Sequence, residues 1–180
     1  MAQWNLDNSH ANVEFSARHM MISTVKGSFE KVEGKLEIDE TNPNSAYVEA
    51  TIDAASLNTR IVDRDNHLRS ADFLDVANYP TITFKSNKVD VSGENVAKVT
   101  GDLTIRNVTR EVVLDVEFLG QSTSPWGQQA IGFTASTKIN REDFGLTWNV
   151  ALETGGVLVG KEIKIALDVE FIKVTEAQTA

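Results

Sequence analysis

Apolar side chains recur at every second position through most of this chain, and that period restricts the fold more than any other feature. The last run is the cleanest: Ile163, Ile165, Leu167, Val169 and Phe171 share one parity, with Lys164, Asp168 and Glu170 on the other. Successive side chains of an extended strand point to opposite faces, so this alternation marks a strand with one face in a core and one in water. The same reading applies to Val13, Phe15 and Ala17, to Val48, Ala50 and Ile52, and to Ile82 and Phe84. It also covers Val99, Gly101, Leu103 and Ile105, then Val112, Leu114, Val116 and Phe118, then Ile131, Phe133 and Ala135.

One change of parity is informative. Val25, Gly27 and Phe29 lie on one parity, whereas Val32, Gly34, Leu36 and Ile38 lie on the other. The added residue predicts a β-bulge or sharp bend near Glu30 to Val32. Turn chemistry separates the remaining runs at Thr41 to Asn44, Ser92 to Asn95, Arg106 to Thr109 and Ser124 to Gly127. Arg18-His19-Met20-Met21 interrupts the alternation and predicts a short turn or helix.

The count is about eight antiparallel strands joined mostly by short turns. No helical crossover, internal repeat or domain boundary is visible, so a single domain is expected over residues 1–175, with 176–180 as a disordered tail. A sandwich fits this pattern, and so does a closed barrel, which leaves no unpaired edge. With eight strands the interior of a barrel is either just filled or holds one small ligand.

Residues 60–80, RIVDRDNHLRSADFLDVANYP, depart from the alternation and gather Arg60, Asp63, Arg64, Asp65, His67, Arg69 and Asp72. They read as two short helical turns, the first capped by Asp63 and the second by Asp72, with Asp75 favoured by the helix dipole. Pro80 returns the chain to strand. The stretch is expected to form a lid on an all-β body. Asn140 to Gly160 is the second irregular region, and its glycine-rich end reads as a flexible entry into the last strand.

Composition excludes several classes. Seventeen basic against 26 acidic residues give a net charge of -9, which disfavours nucleic acid or an anionic membrane as main partner. The chain has no cysteine, hence no disulfide, thiolate metal site or cysteine nucleophile. The start, MAQWNLDNSHANVEF, lacks the basic and apolar regions of a secretory signal. No run reaches the roughly 18 apolar residues of a membrane helix, and no stable membrane insertion is expected. The expected location is cytoplasmic, or periplasmic or secreted if a signal has been removed.

Several segments, taken in order, point further. They are Trp4-Asn5-Leu6-Asp7 with His10, Val13-Glu14-Phe15, Arg18-His19-Met20, Gly27-Ser28-Phe29 and the run from Arg64 to Phe73, RDNHLRSADF. Tyr79 to Phe84, Gly101 to Ile105 and Asn140 to Gly145 complete the set. From Trp4 to about Phe171 the chain resembles the YceI-like family of polyisoprenoid-binding proteins. That resemblance implies an all-β fold, an eight-stranded antiparallel lipocalin-like barrel with short helical inserts. It also implies an elongated apolar pore for a long-chain lipid: a polyprenyl pyrophosphate, a quinone or a fatty-acid derivative.

On periodicity alone, mutual packing of the inner-face residues is favoured over a pore; the resemblance reverses that order. The candidate ligand-binding residues are then Phe29, Phe73, Phe84 and Trp148 on the inside, with Arg18, His19, Met20, His67, Asp72 and Arg141 at the mouth. Arginine suits a pyrophosphate because its planar fork makes paired hydrogen bonds. For Arg69 and Arg141 there is a second reading, in which Asp65, Asp72, Glu142 or Asp143 pairs with them and holds the lid. Gly27, Gly34 and Gly101 on the inner parity are expected to leave room for ligand. Trp126 reads as a packing residue.

No metal site is expected, since the three histidines with Asp65 and Asp72 lack ligand spacing. No cofactor is expected. Neither a G-x-S-x-G elbow nor H-E-x-x-H is present, so the reading is a carrier and not an enzyme. The rivals are an enzyme using His19 or His67 as acid or base, and a filled structural barrel acting through protein contacts. A two-fold homodimer is the default oligomer.

Overall fold

The computed structural model describes residues 1–175. The expected tail at 176–180 lies outside them. In chain order the strands are β1 (Ala2–His19), β2 (Ser23–Phe29), β3 (Val32–Ile38), β4 (Tyr47–Asp53) and β5 (Leu57–Asn58). Helix α1 (Val62–Arg69) follows, then β6 (Thr81–Val91), β7 (Val96–Ile105), β8 (Val108–Thr123), β9 (Gln129–Asn140) and β10 (Glu162–Lys173).

All pairings are antiparallel, in the order β10-β9-β8-β7-β6-β4-β3-β1, and β10 also pairs with β1. The sheet therefore closes on itself as an eight-stranded barrel with no free edge among these strands. Closure also explains a structure that is nearly all strand: each strand satisfies its backbone groups against two neighbours. After Lys173 the pairing continues, since Val174 N donates to Gln3 O at 2.8 Å.

The bend predicted near Glu30 to Val32 is present and has a clear physical basis. β2 and β3 form one bent stave opposite β1: Val13 pairs with Phe29, while Asn5 pairs with Lys35. Between them β1 carries a register shift from Leu6 to Ala11. That shift carries inward parity from Trp4 and Leu6 over to Val13, Phe15 and Ala17. The side chain of Asn8 bridges the gap, accepting from Val32 N at 2.8 Å and donating to Glu30 O at 3.2 Å. The same shift hides the first part of β1 from a search for alternation.

Turn residues behave as their types require. Arg106 and Asn107 both adopt positive φ (50° and 62°) between the paired Ile105 and Val108. They make a two-residue hairpin whose twist matches its strands. Arg106 then reaches from this turn to Phe73 O at 2.9 Å and Ala71 O at 3.3 Å, tying the hairpin to the segment after α1. Met20 and Met21 form the β1–β2 turn with φ of 52° and 63°, so the interruption at Arg18 to Met21 is a turn and not a helix.

The lid differs from its expected form in two respects. It contains one helix, not two helical turns; residues 71–74 are turn. Asp63 does not cap α1, because the N-cap position is Ile61 and no side chain bonds there. Asp65 does the anchoring instead. Its Oδ1 accepts from Thr59 N at 2.8 Å and from the Thr59 hydroxyl, while Arg64 donates to Thr59 Oγ1 at 2.8 Å and Thr59 O at 2.7 Å. Both Thr59 and Asp65 are buried, so this small network fixes the start of the helix in a medium where leaving any member unpaired is costly.

Two groups of buried side chains occupy the two ends of the barrel. At the α1 end Ala54, Phe73, Ile82, Leu103, Ile105, Ile139, Phe144 and Leu146 pack together. At the opposite end Trp4, Leu36, Ile131 and Phe171 do so. Ala50, Leu114, Ala135 and Leu167 are inward on the same ladders, belong to neither group and are only half-buried. They face space.

Candidate functional site

That space is an apolar cavity of about 1030 Å³ running through the barrel. It lies at the upper edge of ligand-pocket sizes, about 300–1,000 Å³. Its wall is the inner parity read from the sequence: Val25 and Phe29, Val48 to Ile52, Ile82 and Phe84, Val99 to Ile105, Val112 to Phe118, and Ile163 to Phe171. Charged lining groups collect at the two ends, apart from Glu14, whose residue is exposed. Arg18, His19, Asp63, Arg64, His67 and Arg141 mark the α1 end, and Glu40 and Glu94 the other.

The inner-face glycines do not supply this volume. A Cβ at Gly27 would collide with the ring of Phe15, and one at Gly101 would lie 2.5 Å from Phe84 Cζ and from Lys85 O. At Gly34 the nearest atoms are Glu49 O at 3.1 Å and Leu6 Cβ at 3.4 Å. Each glycine is a seat that lets a large side chain lie against the wall. The expectation that these positions leave room for ligand is corrected accordingly; the lumen comes from the barrel's girth.

The site residues named from sequence divide into groups. Phe29 and Phe84 line the cavity within the barrel, Phe29 with its ring 5.3 Å from that of Phe15. His67, Phe73 and Trp148 form an aromatic cluster under the lid. Trp148 is 4.6 Å from His67 and 5.3 Å from Phe73, ring to ring, and His67 is 5.0 Å from Phe73. Arg18 and His19 border the same end, where β1 meets the loop before β10 through Gly160 N to Arg18 O at 3.0 Å and the His19–Val159 bridge.

Met20 and Asp72 stand outside the cavity wall. Met20 N donates to Leu158 O at 2.8 Å and its side chain is exposed. Asp72 Oδ2 instead accepts from His67 Nε2 at 2.9 Å, a contact that orients the imidazole.

The arginines hold protein, though not through carboxylates. Arg69 donates to Ala55 O at 3.0 Å and Leu57 O at 2.9 Å. Arg141 is 2% exposed and donates to Gly160 O at 2.9 Å, Leu146 O at 2.5 Å and Val159 O at 3.3 Å. Burial lowers its pKa from the usual arginine value, with Glu142 opposing. Carbonyl dipoles stabilise the charge, and its donors are directed to the carbonyls of Leu146, Val159 and Gly160.

Sequence reasoning missed Thr59 and Asn149. Asn149 Oδ1 accepts from Val159 N at 2.9 Å and its Nδ2 donates to Val159 O at 2.7 Å, so a side chain imitates a strand partner. No local signal announces either. Trp126 is 87% exposed at the β8–β9 turn, which overturns its reading as a packing residue. Among the described residues, Asp7, His10 and Glu170 bring ligand atoms within 4.8 Å of one another on the outer surface at the β1 bulge.

Fold and cavity together define a class: a closed antiparallel barrel with an apolar through-pore capped by one helix. Residues 4–171 match the model of the YceI-like domain, and the chain belongs to that family. A UPF0312 protein of Staphylococcus epidermidis is 42% identical over 172 residues, covering 95% of this chain and 98% of the relative. The YCEI protein of Campylobacter jejuni superposes with a TM-score of 0.73 at 32% identity, covering 88% of this chain and 90% of that one. A polyisoprenoid binding domain from Saccharophagus degradans, implicated in plant cell wall breakdown, shares the fold with a TM-score of 0.70 at 16% identity, over 95% and 98% of the two chains.

Proposed function

We propose that this protein binds a long-chain isoprenoid, polyprenyl pyrophosphate or quinone-like, along the pore and sequesters or transports it without chemical change. The observation that carries this reading is the apolar cavity of about 1030 Å³, which survives folding with its charged lining groups, the exposed Glu14 apart, at the two ends. Support comes from the family and from the named polyisoprenoid binding domain of the same fold.

The tail supplies the affinity. Each buried methylene contributes about 0.8 kcal/mol, so roughly ten of them reach about −8 kcal/mol, the level of micromolar binding. Of the mouth cations, Arg64 is engaged with Thr59, Arg141 with carbonyls and His67 with Asp72. Arg18 and His19 are placed to meet a charged head at the rim, and the paired His67 serves to orient the lid, not to transfer protons.

Organic extracts of the purified protein, analysed by mass spectrometry, test this reading. An intact isoprenoid is expected from the parent and is lost from Ala135→Trp, which fills the half-buried mid-pore position between Val116 and Leu167 while leaving the barrel's circular dichroism unchanged. Equal retention by the folded Trp variant would place the ligand elsewhere. An empty parent that also fails to bind added quinone would remove the reading.

A further inference from the structure

The β1–β2 turn, the start of α1 and the loop before β10 meet at one mouth, and each presents apolar side chains to water there. Met20, Met21, Ile22, Ile61, Val62 and Val150 are all exposed, Ile22 at 79% and Val62 at 73%. Six such residues around one opening form a patch of a kind that soluble domains rarely leave without use. The β1–β2 turn and the loop before β10 adjoin directly. Met20 N bonds Leu158 O at 2.8 Å, Leu158 N bonds Val150 O at 2.9 Å, and Met21 packs on Gly156. They are continuous with the pore as well, since Arg18, His19, Asp63, Arg64, Leu158 and Val159 line it immediately behind them.

Local backbone adds a second observation. Met20 and Met21 occupy the left-handed region in succession, at φ of 52° and 63°, where glycine or asparagine is favoured. The turn holds bulky apolar side chains outward at a conformational cost that a polar Asn-Gly pair would avoid, and packing inside the barrel gains nothing from it.

We infer that this mouth docks peripherally on a lipid bilayer, with Met21, Ile22, Ile61 and Val62 entering the interfacial layer so that the pore opens onto the membrane. The inference rests on the lipid-carrier reading above, because a ligand of that class resides in bilayers and a pore mouth in contact with one avoids passage of its tail through water. Charge selects this end. Arg18, Arg60 and Arg64 flank the patch, against Asp63 and Glu153, whereas the other mouth is lined by Glu40 and Glu94 and, among the described residues, by no cation. For a chain of net charge -9, the α1 end is the approach least opposed by a membrane's anionic lipids. Interfacial binding scales with the apolar area inserted, so a few exposed aliphatic side chains give reversible association and no stable insertion.

Flotation with phosphatidylcholine vesicles, with and without phosphatidylglycerol, tests the docking. The parent is expected to float with the vesicles. Ile22→Asp combined with Val62→Asp is expected to lower its partition at least about tenfold, and the milder Ile22→Ser with Val62→Ser to lower it less. Neither position lines the pore, so both pairs should still yield the parent's lipid on extraction. Trp126→Ala, at the opposite hairpin, should float like the parent. A parent that does not float, a double Asp variant that floats unchanged, or loss with Trp126→Ala in its place would each overturn the inference. Missing lipid in the parent extract bears on the carrier reading alone, since flotation is scored separately.

Discussion

Arg141 is where a ligand contact and a structural strut make opposite predictions. Its guanidinium is 2% exposed and donates from Nε, Nη1 and Nη2 to the carbonyls of Gly160, Leu146 and Val159 respectively. Replacement by Met keeps the length of the stem and removes every donor. Each hydrogen bond to a charged group is worth about 1.5–3 kcal/mol, and a buried carbonyl left unpaired costs about 1–3 kcal/mol. Against this stands the relief of a desolvated cation, several kcal/mol. The net expectation is a loss of about 3–5 kcal/mol, which in a chain of this size lowers Tm by about 6–20 °C. Arg141→Lys should recover little, because one ammonium cannot reproduce the fork that reaches three carbonyls on two segments. Urea and thermal unfolding measure the loss. The reasoning is refuted if Arg141→Met costs under about 1 kcal/mol, or if Lys restores full stability. A variant as stable as the parent but poor in ligand retention would return Arg141 to the head-group role.

Gly101→Ala places a Cβ 2.5 Å from Lys85 O, a backbone atom that cannot swing away, and should cost about 1–3 kcal/mol, whereas Gly132→Ala meets nothing nearer than Leu119 Cβ at 3.8 Å and should gain up to about 1 kcal/mol. Equal effects in urea melts would show that the seat for Phe84 is not needed. The His10 ring lies 2.7 Å from Asp7 Oδ2, and its pKa is raised above 6.5, first by that hydrogen bond and then by the charges of Glu170 and Asp7. Asp7 is lowered below 3.8, chiefly by hydrogen bonds from Ser9 and His10.

The signs set a window. The raised imidazole stabilises the fold below its unfolded pKa and ceases to do so as pH rises through the folded one. The lowered carboxylate stabilises above its unfolded pKa and loses this on acidification. Their joint contribution is therefore greatest between about pH 4 and 6.5. An NMR titration should show the His10 midpoint falling toward 6.5 in Asp7→Asn; an unmoved midpoint would exclude Asp7 as the main cause.

The residues of the inner wall could be read before any coordinates because strand alternation is a local property: Leu114 faces inward because Val113 and Asp115 do not. For the same reason the bend at Glu30 to Val32 was visible as a change of parity. Irregular features were not. The shifts at Leu6 to Ala11, Ser86 to Lys88 and Phe118 to Gly120 each exchange inward and outward residues, so parity on one side says nothing of the other. Asp63 had the residue type of a helix cap, yet the anchoring falls to Asp65 and Thr59, which meet only once β5 and α1 are in place. For Arg141 the sequence shows the charge and not the carbonyls turned toward it.

By itself, then, the amino-acid order determined the strands, their turns, the inward face and the family. Tertiary structure alone decided that the middle is hollow. Alternation makes one face of each strand apolar whether that face meets another side chain or empty space. The choice depends on how many strands close the circle and on the pairing of the first with the last, β1 with β10, a contact no local window contains. The lumen is a property of that closure, and so is the end of it that Arg18, His67 and Trp148 all line.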